Sequence, residues 1–291
     1  MTTSEATQIR QGLPQGVRTA TNYVIRGGAE GKARLHLIAE ALAPSTGALL
    51  DAAGIDEGMT CLDIGCGGGD VALELARCVG PRGRVVGIDM DEAKLALARQ
   101  DAGQAGLDNV EFQQCDATML DAEGIYDLVY ARFLLTHLRD PQEMARRMAR
   151  AAKPGGLIVI EDIDHSAVFS YPACPALEQH VTLYNNVARR RGGDPEIGPK
   201  LPALLREVGV CDPQVRVVQP TFMEGGAKRI HQITLENIAE SITATGLATA
   251  VELAATVAEL DAFAQDPYTL IGFPRIFQVW GRRGPEAVAC A

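Results

Sequence analysis

The sequence predicts an α/β fold built on a mostly parallel sheet with helices on both faces. Apolar, β-branched segments alternate with helical segments, and strands separated by helices pair in parallel through right-handed crossovers. Strands are predicted near residues 59–64, 84–89, 109–113, 126–131 and 157–162, and helices near residues 70–79, 91–105 and 141–152. A glycine-rich turn after the first strand places a ligand site at the carboxyl edge of this sheet.

The first strand ends in the turn Asp63-Ile64-Gly65-Cys66-Gly67-Gly68-Gly69. Glycines at 65, 67 and 69 allow positive φ angles and bring bare peptide groups close to a ligand. Asp89 ends the second strand, and an ionised carboxylate there can accept hydrogen bonds from two ribose hydroxyls. The turn and the acid together predict a nucleoside-cofactor site.

Two cofactor classes compete for this site. Gly67, Gly69 and Ala72 have the GxGxxA spacing of a dinucleotide fingerprint, so the glycines alone permit NAD. Asp63 lies two residues before the first glycine, where a carboxylate would repel a pyrophosphate. S-adenosylmethionine carries an ammonium and a sulfonium and has no phosphate, so Asp63 favours the methyl donor.

The turn at residues 63–69 resembles the first motif of class I S-adenosylmethionine-dependent methyltransferases. Four later segments resemble that family's other motifs in the same order, so the resemblance covers residues 57–163. They are Ile88-Asp89-Met90, Gln114-Cys115-Asp116-Ala117, Tyr126-Asp127-Leu128-Val129-Tyr130 and Lys153-Pro154-Gly155-Gly156. The segment 133–141, which contains His137, resembles the small-molecule type, related to ubiquinone, menaquinone and natural-product methyltransferases.

This resemblance implies a Rossmann-like sheet of seven strands in the order 3-2-1-4-5-7-6, mostly parallel, with helices on both faces and a helical substrate lid. The last strand, predicted near 276–281, would insert antiparallel. A helix near 199–208 and a strand near 214–219 complete the predicted core.

The implied cofactor is S-adenosyl-L-methionine, with S-adenosyl-L-homocysteine as product. The residues predicted to bind it are Tyr23, Asp63, Gly65, Cys66, Gly67, Asp89, Met90, Asp116, Ala117 and Arg132. Four residues are predicted to bind the acceptor: Phe133, His137, Asp162 and Tyr184.

Two of these acceptor-site residues are also candidate catalysts. His137 follows the fourth strand and titrates near neutrality, so it is a candidate general base; the alternative is that it only orients its loop. Asp162 ends the fifth strand and could bind an acceptor amine or hydroxyl; the alternative is a cap or an ion pair. Side chains alternate along a strand, so Glu161 and Asp162 should face opposite sides of the sheet.

The chain divides into a core and three segments that leave the minimal fold. The predicted divisions are an N-terminal helical cap (1–45), the cofactor-binding core (46–163, continued at 198–219), a lid insertion (164–197), a helical lid insertion (220–270), the final core strand (271–284) and a flexible tail (285–291). Insertions after strands of this edge can cover the ligand.

The composition of the chain argues against nucleic-acid binding and against a membrane span. With 27 basic and 37 acidic residues the formal charge is −10, which opposes binding to a nucleic-acid backbone. Charges at Glu252, Glu259 and Asp261 interrupt the most apolar helical stretch, so no membrane span is predicted. The N-terminus lacks the regions of a signal peptide, so we expect a cytoplasmic protein. A monomer or a homodimer is expected, and the sequence does not choose between them.

The cysteines and histidines show no metal-ligand spacing, so no metal is predicted. His165, His180 and His231 are interpreted as packed or exposed side chains. The seven cysteines are an odd, scattered set, which suits free thiols in a reducing compartment. Arsenite methyltransferases share the fold and use several thiols, but only Cys174 and Cys211 form a plausible pair on the acceptor side.

The sequence therefore predicts an enzyme that transfers a methyl group to an O, N, S or activated C atom of a small, partly apolar molecule, with secondary metabolism as one setting. The acceptor must be held about 3 Å from the methyl carbon, so catalysis is mainly positioning. Two alternatives stay open: a methyltransferase-like protein that only holds the cofactor, and an NAD-linked oxidoreductase.

Overall fold

The computed structural model describes Leu13 and residues 28–285. Within them the strands are β1 (Thr60–Ile64), β2 (Arg84–Asp89), β3 (Val110–Gln114), β4 (Tyr126–Arg132), β5 (Ala152–Asp164), β6 (Phe169–Tyr171), β7 (Val210–Val218), β8 (Thr221–Phe222), β9 (Leu270–Gly272) and β10 (Arg275–Arg283). The helices are α1 (Gly28–Ala53), α2 (Asp70–Val79), α3 (Glu92–Gln104), α4 (Pro141–Ala151), α5 (Pro175–Arg190), α6 (Leu201–Glu207), α7 (Ile230–Ala244) and α8 (Ala250–Gln265).

Seven strands form the central sheet in the order β3-β2-β1-β4-β5-β10-β7. The first five are parallel, and β10 runs antiparallel to both β5 and β7. Counted within this sheet alone, β7 is the sixth strand and β10 the seventh. The predicted order 3-2-1-4-5-7-6 and the antiparallel insertion of the last strand are therefore confirmed.

The strands read as nearly continuous apolar runs because both faces of the sheet are buried. Leu62, Val129 and Ile158 belong to the core on one face, whereas Cys61 and Leu128 belong to the core on the other. This alternation fixes the register, since a slip of one residue would exchange the two faces.

A second sheet, which the sequence did not predict, joins the two insertions. Its antiparallel order is β6-β9-β8, with Ser170 opposite Ile271 and Phe222 opposite the same residue. Helices α1, α5, α7 and α8 pack beside it around a separate apolar core that includes Leu42, Leu177 and Leu235.

The observed bounds differ from the predicted ones at three places. Helix α1 runs without a break across the boundary predicted at residue 45. Strand β7 begins at Val210, four residues before the predicted strand. Strand β5 begins at Ala152, five residues before the predicted strand. Its pairing with β4 jumps from Tyr126–Ala152 to Leu128–Leu157, so the Lys153-Pro154-Gly155-Gly156 segment forms a bulge inside the strand.

Among the described residues, no helix combines the length and the apolar character that crossing a bilayer requires. Tyr23 and the predicted flexible tail beyond residue 285 lie outside the described residues.

Candidate active site

The carboxyl ends of β1 to β4 bring four predicted segments to one edge of the sheet. Backbone hydrogen bonds link the turns at neighbouring strand ends. Cys66 N–H donates to the Ile88 carbonyl at 2.9 Å, and Cys115 N–H donates to the Asp89 carbonyl at 2.9 Å. Arg132 ends β4 at the same edge. These bonds hold the glycine turn, the acid of β2 and the turn after β3 next to one another.

Two glycines shape a cradle in the first turn. Gly65 and Gly67 have φ angles of +69° and +56°. A β-carbon at 67 would lie 2.8 Å from the Leu35 Cδ1 of α1, and one at 65 would lie 3.1 Å from Leu134 Cδ1. The turn therefore needs glycine for its backbone, and the two leucine side chains that lie over it would have to shift if a β-carbon were added.

Gly69 has the predicted positive φ angle, +85°, but the space that it leaves is taken up by other elements of the fold. A β-carbon there would lie 2.8 Å from both Ala98 Cβ and the Phe112 ring, so this glycine lets α3 and β3 pack against the turn. The Cys66 thiol also points away from the ligand edge, because it would meet a β-carbon placed on Gly87 of β2 at 3.0 Å. Burial raises the pKa of the Cys66 thiol well above its ordinary value. Only the backbone of Cys66 remains available for cofactor binding.

Asp63 lies beneath the glycine turn as a buried carboxylate that is only partly satisfied. It is 2% exposed and accepts a hydrogen bond from the Ala72 N–H, but its Oδ2 has no hydrogen-bond partner among the described residues. Burial raises the pKa of Asp63 to about 7, although the Arg132 guanidinium opposes that shift. Such a carboxylate fits a ligand that brings a positive charge and N–H donors.

Asp89 is held for binding at the tip of β2. Its Oδ2 accepts from Gly67 N–H at 3.0 Å, and its Oδ1 accepts from Asp91 N–H at 2.9 Å. Each carboxylate oxygen has a second lone pair, so the fixed group can still accept two hydroxyl donors. The local backbone thus orients Asp89 and leaves its acceptor capacity half used.

The next two predicted positions border the same edge. Met90 is half-buried, and its carbonyl accepts from Gln114 Nε2 at 3.0 Å, which ties the turns after β2 and β3 together. Asp116 Oδ1 accepts from both the N–H and the hydroxyl of Thr118, at 2.9 and 2.7 Å. Ala117, buried next to it, begins a short 3-10 turn.

A cavity opens beside the residues that follow β4. It lies between α1, α5, α7 and the chain that enters β10, so both insertions and the N-terminal helix contribute to it. Its wall consists of Arg34, Leu35, Ile38, Phe133, Thr136, His137, Ile163, His165, His180, Tyr184, Ile230, His231, Thr234, Phe273, Pro274 and Ile276. Three of the four predicted acceptor residues therefore line one cavity: Phe133, His137 and Tyr184.

Phe133 is held in an unusual backbone conformation at the cavity wall. Its φ angle is +53°, and its N–H donates to the Glu161 carbonyl at 2.8 Å. A left-handed conformation costs an L-residue about 1–2 kcal/mol, so the surrounding structure must fix it. Such strain is frequent where a side chain is aimed at a ligand.

His137 is half-buried in the cavity wall and stays neutral well below pH 7. Its loss of contact with water lowers its pKa to about 4, and the positive charges of Arg34, Lys94 and Arg191 act in the same direction. A neutral imidazole can accept a proton, but one with this pKa is a weak base. The surroundings of His137 therefore favour the alternative that it orients its loop over the role of general base.

Asp162 does not line the cavity. It is fully buried, and its carboxylate accepts from Thr136 N–H at 3.0 Å and from its own neighbour Ile163 N–H at 2.9 Å. This corrects the expectation of a catalytic or acceptor-binding Asp162, because both oxygens hold the backbone. Burial raises its pKa to about 7. The side chain anchors the turn that carries His137.

Glu161 faces the opposite side of the sheet, as strand alternation requires. Its carboxylate accepts from the Tyr130 hydroxyl, from Thr46 Oγ1 at 3.0 Å and from Gln278 Nε2 at 2.7 Å. This buried network joins β4, β5, β10 and α1. It fixes α1 against the sheet directly behind the ligand edge.

Three histidines in the cavity were not expected to meet. His165 follows β5, His180 lies on α5 and His231 on α7, and all three are buried. One ring nitrogen from each lies within 4.8 Å of the other two. Their sequence separation shows no metal-ligand spacing; the fold of the two insertions brings them together.

The cysteines do not assemble an acceptor-side thiol pair. Cys174 is a buried free thiol at the start of α5, whereas Cys211 on β7 is disulfide-bonded, in contrast to the expectation of free thiols throughout. Cys61, Cys78 and Cys115 are free and lie within the core regions. The arrangement gives no support to the arsenite alternative.

Fold and site together define an α/β enzyme that binds a nucleoside cofactor at the carboxyl edge of its sheet. The methyltransferase domain family matches residues 55–205, which are 151 of the 291 residues, and the chain belongs to this family. It is a class I S-adenosylmethionine-dependent methyltransferase, which confirms the cofactor class predicted from Asp63.

Relatives in quinone biosynthesis support this assignment. The demethylmenaquinone methyltransferase of Halalkalibacterium halodurans is 27% identical over 195 residues, which cover 61% of this chain and 76% of the relative. The chain spans about half the length of other curated quinone methyltransferases that it matches.

Solved structures show the same fold. The phosphoethanolamine N-methyltransferase 2 of Haemonchus contortus, solved with S-adenosylhomocysteine, has a TM-score of 0.55 at 18% identity and covers 87% of this chain and 58% of its own. The [4+2]-cyclase SpnF has a TM-score of 0.52 at 18% identity, covering 94% of this chain and 99% of its own. At these identities the likeness is one of fold alone.

Proposed function

We propose that this enzyme transfers the methyl group of S-adenosyl-L-methionine to an O, N, S or activated C atom of a small, partly apolar metabolite. The cavity beside the chain that follows β4 carries this proposal. It adjoins the cofactor edge through Phe133 and His137, and most of its wall is apolar. Aliphatic and aromatic walls with a few polar groups are typical of small-molecule sites.

The cofactor residues are assigned by their geometry. Asp63 would accept from the cofactor's ammonium group, which supplies the donors that its Oδ2 lacks. Asp89 would accept from the two ribose hydroxyls, and the cradle at Gly65 and Gly67 would admit the cofactor backbone. Arg132 is close enough to influence the ionisation of Asp63 and is assigned to the methionine carboxylate.

The adenine would lie between the turns after β2 and β3. Met90 would pack on the ring, Ala117 would give it room, and Asp116 would accept from the exocyclic amine. Asp116 Oδ1 is already bonded to Thr118, which fixes the carboxylate in place for that contact.

When bound, S-adenosyl-L-methionine supplies a methyl group on a sulfonium; the acceptor's lone pair bonds to that carbon as the carbon–sulfur bond breaks, and S-adenosyl-L-homocysteine leaves. The chain's task is to align the acceptor and exclude water. Asp162 anchors the turn of residues 135–136, and that turn positions His137. A proton released from the acceptor would pass to solvent or to His137.

Charge in the cavity limits the acceptor. Among the described residues that line it, Arg34 is cationic and none is acidic. An acceptor with an ammonium group would find no negative charge there to pair with. A neutral or anionic acceptor would meet no negative charge that repels it. We therefore infer a neutral or anionic acceptor.

The proposal is tested by incubating the purified enzyme with methyl-labelled S-adenosylmethionine and a fractionated metabolite extract. Label should appear in a small anionic or neutral product, and a Phe133→Ala variant should reduce that incorporation at least tenfold. Retained cofactor binding without any transfer would favour the alternative of a cofactor-holding protein.

Cofactor binding itself is tested by calorimetry with S-adenosylhomocysteine. Asp89→Ala should weaken binding more than tenfold, since a charged hydrogen bond is worth about 1.5–3 kcal/mol. Glu92→Ala is the matched control, because it removes an exposed carboxylate three residues away. Binding of NAD without binding of S-adenosylhomocysteine would refute the assignment.

A further inference from the structure

The three buried histidines of the cavity leave polar atoms unsatisfied. Among the described residues, His180 Nδ1 and His231 Nε2 are buried without a hydrogen-bond partner. An unpaired buried polar atom destabilises a fold because it has lost its hydrogen bonds to water, so two in one cluster need an explanation. Both residues belong to the cluster in which one ring nitrogen of each histidine lies within 4.8 Å of the other two.

The rings also touch one another as aromatic groups. His180 and His231 have centroids 5.2 Å apart at an interplanar angle of 71°, and His165 and Tyr184 lie 4.5 Å apart. Aromatic packing alone would be served equally well by phenylalanine, which has no nitrogen to bury. The choice of imidazole at all three positions therefore points to a use for the nitrogens.

His165 carries the supporting contact that a ligating imidazole requires. Its Nδ1 lies 2.9 Å from Asn185 Oδ1, and an amide oxygen can only accept, so Nδ1 carries the proton. Its Nε2 is then a lone-pair donor. In known metal sites, a hydrogen bond from the ring nitrogen that does not bind the metal fixes the tautomer and the ring orientation of the histidine.

We propose that His165, His180 and His231 bind one divalent transition-metal ion, of which Zn²⁺ is the reference case, with at least one coordination position open to the acceptor cavity. Three histidines with a free position are a set that such ions accept for catalysis. Nitrogens on one Zn²⁺ lie about 2.1 Å from the ion and thus about 3.4 Å apart, so small ring rotations would close the set.

The open position faces the cavity that would hold the acceptor. In sites where three histidines hold a Zn²⁺ ion, a water molecule or a substrate atom takes the fourth position. The open position is therefore assigned to an oxygen atom of the acceptor.

Metal binding by the cluster does not depend on the proposed function, whereas the acceptor contact does. For a hydroxyl acceptor, the metal would lower the pKa of the bound oxygen. The proton would leave to solvent, and an oxygen lone pair would then bond to the methyl carbon as the carbon–sulfur bond breaks and S-adenosylhomocysteine leaves. The weak basicity of His137 would be no obstacle to this route.

The test uses the full-length protein after dialysis against a chelator, with Co²⁺ and Zn²⁺ alone as probes. We expect one equivalent of Co²⁺ to bind with visible absorption bands of nitrogen coordination, and Zn²⁺ to displace it. His180→Ala should lose at least 100-fold in affinity and Asn185→Ala about 10–100-fold. His36→Ala is the matched control, because His36 is exposed on α1 outside the cluster.

A second variant separates metal loss from misfolding. His231→Phe keeps an aromatic ring and removes a buried unpaired nitrogen, so its melting temperature should be unchanged or higher while stoichiometric Co²⁺ binding is lost. S-adenosylhomocysteine should bind this variant as it binds the wild type. Absence of stoichiometric metal binding by the wild type, or binding that survives His231→Phe and His180→Ala, would overturn the proposal even if methyl transfer is observed.

Discussion

Replacing Asp63 with asparagine should have opposite effects on stability and on cofactor binding. The carboxyl is almost fully buried, and its pKa rises from an ordinary value of 3.8 to about 7 in the fold. The folded protein therefore binds this proton more tightly than the unfolded chain does. Ionisation of the Asp63 carboxyl therefore lowers the free energy of unfolding. This loss is absent below about pH 4 and grows as the pH rises to about 7.

The rise in pKa from 3.8 to about 7 corresponds to at most about 4 kcal/mol, at about 1.36 kcal/mol per pH unit. The amide introduced by Asp63→Asn cannot ionise, so the ligand-free variant should gain up to that amount over wild type at pH 8 and almost nothing at pH 4. Urea unfolding at the two pH values measures this difference. The pH 4 comparison is an internal control for any change in packing.

Cofactor affinity should fall in the same variant. The variant lacks the negative charge assigned to the ammonium group, and S-adenosylhomocysteine should bind about 10–100-fold more weakly, since hydrogen bonds to charged groups contribute about 1.5–3 kcal/mol. Equal stability of the two proteins at pH 8, or undiminished affinity by calorimetry, would refute the reasoning about Asp63.

Three further outcomes are expected. Gly67→Ala should weaken S-adenosylhomocysteine binding at least tenfold, because it strains a φ of +56° in the turn whose N–H holds Asp89. Gly54→Ala, with a similar φ of +76° and open space outside the site, should cost about 1–2 kcal/mol in thermal unfolding and bind normally. Glu161→Ala should destabilise by about 3 kcal/mol or more in urea, since three buried donors lose their acceptor, and Glu161→Gln should recover part of that loss. His137 should titrate near pH 4 by NMR, so its ionisation should leave no inflection in the rate between about pH 6 and 8; a titration near its ordinary pKa of 6.5 would contradict its burial.

The cofactor half of the molecule was predictable because its determinants are local. Asp89 ends β2, and Gly65 directly follows β1. The carboxyl ends of parallel strands meet at one edge of the sheet whatever the rest of the chain does. Gly65, Gly67 and Asp89 therefore lie where their order in the sequence requires. The contacts of Gly69 with Phe112 and of the Cys66 thiol next to Gly87 could not be predicted in the same way, because Phe112 and Gly87 lie on other strands.

The acceptor half was less accessible from the sequence. Alternation placed Glu161 and Asp162 on opposite faces, but which face meets a ligand depends on the turn of residues 133–136, whose path the pattern does not specify. His165, His180 and His231 come from two insertions separated by the whole of α6 and β7. Their meeting depends on the small sheet β6-β9-β8, whose short strands have no clear pattern of their own.

Helix α1 borders both halves of the site. Leu35 lies over Gly67 and also lines the acceptor cavity, while Lys32 is paired with Asp101 and His36 Nδ1 lies 2.9 Å from Asp70 Oδ1. A ligand that shifts this helix at the glycine turn must alter the wall of the other pocket. The affinities for methyl donor and acceptor are then thermodynamically linked, and each should change the other by the same factor.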